Sequence, residues 1–168
     1  NAINSNKGAE EILKVGVERI DGVDVKHRTL LKFDLPDIGT GDEIISANLA
    51  LYSYPSYESV SDGEFVAIHR VTEEWNENGV TWSSIDGKYD ALIEALYDGT
   101  RSTVDSNNAI QFPESRANGD ITNLVKKWYT DTANYGILLK TVNEEYKGDN
   151  FPVFFSKNNT YPVDSDNP

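Results

Sequence analysis

The sequence predicts an all-β fold, a jelly-roll-like antiparallel β-sandwich with one or two short helices. Three observations predict it. Apolar residues recur at period two over several short stretches, Gly, Pro, Asn and Asp turns separate those stretches, and only two segments carry helical spacing. At 168 residues a single core can bury most of the surface that the unfolded chain exposes, so one domain needs neither disulfide nor structural metal to fold.

Residues 28–35 (RTLLKFDL) place Thr29, Leu31, Phe33 and Leu35 on one face, and Pro36 ends the ladder. After the Gly39-Thr40-Gly41 turn, residues 44–52 (IISANLALY) set Ile45, Ala47, Leu49 and Leu51 on one side. A third strand spans residues 65–71, where Phe65, Ala67 and His69 alternate with Val66, Ile68 and Arg70. Residues 136–142 and 151–155 supply two more. Ile121, Leu124, Val125 and Trp128 recur at helical spacing behind Asp120, an N-cap residue type, which predicts a short amphipathic helix over 120–129. A weaker stripe, Ala91, Leu92, Ala95 and Leu96, predicts a second helix over 89–97. The polar stretch after it, 98–118, reads as an insertion at the sandwich rim.

Charge and composition exclude several functions. With 28 acidic against 15 basic side chains the chain carries a net charge of −13. Nucleic acid and anionic membranes bind through concentrated basic patches, so neither is an expected partner. No apolar run approaches the roughly 18 residues of a membrane-spanning helix, so direct membrane insertion is not expected. The absence of cysteine removes thiol catalysis and thiolate metal sites, and two histidines are too few for a typical zinc centre. A first residue other than Met suggests a processed or excised piece of a larger protein.

Three ordered blocks carry a resemblance. They are residues 28–52, RTLLKFDLP followed by a Gly turn and IISANLALY; residues 67–83, AIHRVTEEWNENGVTWS; and residues 120–140, DITNLVKKWYTDTANYGILLK. In order and spacing, over about 115 residues, they resemble bacterial and archaeal cell-surface modules known as DNRLRE domains, which overlap with disaggregatase-related repeats and with carbohydrate-binding module family 96. The Asn4-to-Gly8 loop and the Ile12-to-Gly16 stretch are similar to the family's Asn-x-Asn-x-Gly loop and the strand after it. Against the family pattern, a first strand before Asn1 and a last one after Pro168 are absent. The resemblance implies a secreted or cell-surface, non-catalytic module that binds polysaccharide. A rival reading is a structural subunit of an extracellular filament, sheath or stalk, assembled with neighbouring copies by strand exchange across unpaired edges.

Within that frame, Tyr54, Tyr57, Tyr89 and Tyr97 are the candidate ligand residues, because they fall in loop or rim segments. Trp75, Trp82 and Trp128 lie inside the shared blocks and read as packing residues. His27 and His69 read as surface and structural histidines. Paired carboxylates could hydrolyse glycosides, but with so many acids chance pairs are expected, and no enzyme is predicted. Calcium is the expected ion, if any: hard cations take six to eight oxygens, and Asn4, Asn6, Glu10, Asp21 and Asp24 offer them. A solvated acidic surface accounts for the same residues. The sequon at Asn158-Asn159-Thr160 is short enough to occur by chance. Neutral or basic glycans suit the overall charge, and an acidic one would require a local Lys/Arg patch or a bridging cation.

Overall fold

The computed structural model describes residues 5–52, 65–98, 103–104, 109–111, 119–145 and 152–160. Among them run β1 (Ile12–Lys14), β2 (Gly16–Ile20), β3 (Val23–His27), β4 (Thr29–Leu31), β5 (Leu51–Tyr52), β6 (Phe65–Arg70), α1 (Trp82–Ile85), β7 (Ala95–Asp98), β8 (Thr103–Val104), β9 (Ala109–Gln111), α2 (Thr122–Thr130), β10 (Ile137–Thr141) and β11 (Val153–Phe155). Every ladder between these strands is antiparallel. The largest sheet runs β4-β10-β6-β7; β5-β9-β8 forms a second, and β1-β11 and β2-β3 pair by themselves. This is the all-β sandwich that the alternation predicts.

Residues 137–139 (Ile-Leu-Leu) are an unbroken apolar run because both faces of β10 are covered. Ile137 and Leu139 enter the main core with Val66, Ile68, Val15 and Phe154, while Leu138 points to a second cluster with Val71 and Ile85. Each such fully buried side chain contributes about 1.5–3 kcal/mol relative to exposure. Helix α2 closes the main core by burying Leu124, Val125 and Trp128. The second cluster is smaller, and Leu30, Trp75, Val80, Tyr89 and Tyr135 pack around it.

Four details depart from the expectations. Residues 89–97 form no helix: Tyr89 bridges Val71, and Ala95–Asp98 pairs with β6. Pairing with an existing sheet edge satisfies backbone groups that a short, weakly capped helix would leave open. In 44–52 only the end is strand, and Ile45 is 81% exposed while Ile44, Ala47 and Leu49 face the core. A break in phase before Ala47 moves Ile45 off the predicted face. Helix α2 starts at Thr122 with Ile121 at the cap, and Asp120 acts one residue earlier by accepting from the Thr122 amide at 2.8 Å. Finally, part of the presumed insertion is sheet: Ala109–Gln111 pairs with β5, and Thr103–Val104 pairs with Ala109–Gln111.

An unpredicted hairpin joins β2 to β3 through Asp21-Gly22. Both residues have positive φ, 50° and 79°. That is the Asp-Gly signature of a two-residue turn matched to strand twist.

Candidate functional site

The polar face of the largest sheet holds a cluster built around Arg28, which stands between β3 and β4. Its Nε and Nη2 donate to Glu144 Oε1 and Oε2 at 2.6 and 2.7 Å, and its Nη1 donates to the Tyr89 hydroxyl at 3.2 Å. The guanidinium carbon lies 3.7 Å from the Trp82 ring centre and 5.8 Å from that of Tyr89. Arginine suits this position because its flat fork binds a carboxylate in two bonds while its face stacks on an aromatic ring.

Local sequence explains how the two rings arrive there. In Thr81-Trp82-Ser83-Ser84, the Thr81 hydroxyl accepts from the Ser84 amide and the Ser84 hydroxyl accepts from the Thr81 amide, a reciprocal cap that starts α1 on Trp82. Tyr89 is held by its bridge to Val71 and by an edge-on contact with His69, ring centres 5.5 Å apart. His69 is buried, and its Nδ1 faces the carbonyl oxygens of Asp90 and Leu92 at 2.9 and 3.1 Å. Carbonyls only accept, so Nδ1 carries the proton.

Electrostatically the cluster reverses the sign of the chain as a whole. Besides Arg28, Lys140 and Lys26 approach Glu144 Oε2 at 3.5 and 4.0 Å, so three cations share one carboxylate. The Arg28 and Glu144 side chains are only 10% and 12% exposed. Burial opposes the Glu144 charge, but the Arg28 bonds and the fields of Arg28, Lys140 and Lys26 outweigh it and hold its pKa below the ordinary glutamate value. Burial likewise opposes Arg28, and Glu144 outweighs it, keeping its pKa above the usual range. Burial dominates at His69 and depresses its pKa, with Lys140 and Arg28 adding to the effect against its two carbonyl bonds.

A second concavity, about 210 Å³, lies between residues 33–35, 47–49 and α2, lined by Phe33, Leu35, Leu49, Val125 and Trp128. Its lining side chains are apolar except for Asn48, so it offers few hydrogen-bonding groups to orient a polar ligand.

Of the four tyrosines singled out from sequence, the structure brings Tyr89 into the Arg28 cluster. Tyr97 belongs to β7, and Tyr54 and Tyr57 lie outside the described residues. Trp128 packs the main core and Trp75 the second cluster, as the sequence suggests, but Trp82 serves as the platform for Arg28. Sequence alone singles out neither Arg28 nor Glu144, and it assigns Trp82 to packing. Arg28 and Glu144 are 116 positions apart, and no local spacing announces such a pair.

Of the residues proposed for calcium, Asn6, Glu10 and Asp24 have partners within the chain. Asn6 Nδ2 donates to the carbonyls of Glu77 and Val80, both at 2.7 Å, and its Oδ1 accepts from the Gly8 amide. Glu10 pairs with Lys7, Asp24 pairs with Arg19 across the β2-β3 hairpin, and Asp21 forms the turn. Asn4 lies outside the described residues. Among the described residues no three acidic or histidine side chains gather into an ion-binding group.

The chain matches carbohydrate-binding module family 96 over residues 1–162. It belongs to that family. No curated protein matches it. No helix among the described residues is long and apolar enough to cross a membrane.

Proposed function

We propose that this family 96 module binds polysaccharide without catalysis, as part of a secreted or cell-surface protein, and that the Trp82–Arg28–Tyr89 face is where it does so. The family match carries the reading. The geometry supports it: the half-buried Trp82 and Tyr89 rings keep part of their surface exposed, and the Arg28–Glu144 pair holds them in place. Lys26 and Lys140 beside Glu144 form the local basic patch without which a net charge of −13 would repel an acidic glycan. Acidic polysaccharides therefore join neutral ones as ligands. Tyr54, Tyr57 and Tyr97 are further proposed ligand residues. Thermal unfolding with and without a chelator decides whether calcium belongs to it, since a native-state ligand raises the Tm.

Affinity electrophoresis against neutral and uronate polysaccharides tests the proposal. Binding is expected, with a loss of about tenfold or more for Trp82→Ala and a smaller, salt-dependent loss for the exposed Lys26→Ala. Retention by no polysaccharide would overturn the function. Retention unaffected by these variants but lost in Tyr54→Ala or Tyr57→Ala would move the site to the rim.

A further inference from the structure

The first and last described segments meet at one junction, and its geometry bears on how the module resists being pulled. Strand β1 pairs with β11 antiparallel, Ile12 opposite Phe155 and Lys14 opposite Val153. The chain therefore enters β1 and leaves β11 at the same end of the ladder. Tension on the polypeptide at both sides loads the Ile12–Phe155 rung first, so the bonds would open one after another instead of sharing the load.

At that same end a set of side-chain bonds ties the two segments together. Ser156 Oγ donates to the Glu10 carbonyl at 2.6 Å, Asn158 Nδ2 to the Gly8 carbonyl at 2.9 Å, and Thr160 Oγ1 to Glu11 Oε1 at 2.6 Å. Both segments are also fastened to a third, residues 76–80. Asn6 Nδ2 reaches the carbonyls of Glu77 and Val80, and Lys157 Nζ lies 2.6 Å from Glu77 Oε2. Gly8 sits so close to Glu77 that an added Cβ would stand 2.3 Å from the Glu77 carbonyl oxygen. Next to this turn, Trp75 Nε1 donates to the Tyr135 carbonyl at 2.7 Å, just before central strand β10. A path thus runs from both segments, through residues 75–80, into the largest sheet.

We propose that this three-segment junction is a tension latch, diverting force applied at the two ends of the module away from the β1-β11 ladder. Its use rests on the reading of the chain as a surface module that holds a ligand. The Asn158 amide is a working part of the latch, and its bond to Gly8 competes with glycosylation at the 158–160 sequon.

Constant-force unfolding tests the latch along two axes, and the cysteine-free chain makes both accessible. One axis uses handles fused to the two ends. The other uses Val23→Cys and Leu92→Cys, positions 63% and 61% exposed and outside the junction. Along the first axis Asn158→Ala and Asn6→Ala are expected to raise the unfolding rate about five- to tenfold each, from the loss of one and of two or more hydrogen bonds. Along the second the change is expected within about twofold once the equilibrium loss, read by denaturant, is removed. Equal acceleration on both axes would reduce the junction to ordinary stabilisation and overturn the proposal, as would no acceleration on either. Should Asn6→Ala fail to fold, the exposed Lys157→Ala and Thr160→Val carry the same test. No glycan enters the assay, so its outcome is separate from that of the binding proposal.

Discussion

The two faces of the β4-β10-β6-β7 sheet solve burial in opposite ways. On one, Val66, Ile68, Ile137 and Leu139 meet Phe154, Leu124 and Trp128 in a continuous apolar core. On the other, a small apolar cluster around Val71, Ile85 and Leu138 gives way to His69, Tyr89, Trp82 and the Arg28–Glu144 pair. Apolar burial is non-directional and tolerates repacking, whereas a stacked, doubly bonded ion pair dictates where each ring stands. The first face stabilises the module, and the second fixes the orientation of its aromatic side chains.

The largest expected effect lies on the apolar face. Phe154 is almost fully buried in the main core, so Phe154→Ala should cost about 3–5 kcal/mol from lost transfer energy and the cavity left behind. Equilibrium denaturation reads this directly, and a loss below about 1 kcal/mol would mean that the core is looser than its burial implies. On the opposite face Glu144→Gln leaves Arg28 largely buried without its charge partner, at an expected cost of about 2–3 kcal/mol. The double replacement Arg28→Met with Glu144→Leu should recover much of that stability while polysaccharide retention stays lost. Recovery of both would show that the pair merely fills space.

Acid should attack the polar face before the apolar one. The folded His69 pKa lies below the ordinary value of about 6.5, with burial as the main cause. Unfolding therefore takes up a proton between the folded pKa and about 6.5, so stability present above that window falls as pH drops through it and levels off below the folded pKa. Glu144 acts the same way at lower pH: its folded pKa is below the usual glutamate value, so its contribution, present above about 4.5, is lost as pH falls through the folded pKa. A Tm against pH series should thus decline in two stages, and His69→Gln should flatten the upper one. An unchanged upper stage would place its origin elsewhere, for instance at His27, whose pKa burial also depresses.

What could be seen beforehand follows the same division. The strands at 65–71 and 136–142 and helix α2 are legible because their apolar patterns are local, whereas of the strand expected over 28–35 only Thr29–Leu31 pairs as sheet. The helix expected over 89–97 failed because four apolar residues fit a stripe as well as a sheet edge, and only the presence of β6 decides between them. The β2-β3 hairpin is legible in the sequence: the Asp21-Gly22 pair between alternating residues is a hairpin signal, although Asp21 and Asp24 also fit an acidic calcium loop. Arg28, Trp82 and Glu144 could not be assembled from sequence, since a contact across 116 positions leaves no periodic trace.

The smallest effect isolates one atom on each face. Trp75 donates its indole N–H to the Tyr135 carbonyl, whereas the buried Trp128 N–H finds no acceptor among the described residues. Replacing either tryptophan with benzothienylalanine keeps the ring shape and exchanges N–H for sulfur. At position 75 the exchange removes a hydrogen bond and leaves a carbonyl unmatched, which should cost about 1 kcal/mol. At position 128 it removes a polar group that was already desolvated without compensation, so stability should hold or rise slightly. Equal losses at both positions would mean that the Trp128 N–H has an acceptor after all, and that the main core is less purely apolar than its residues suggest.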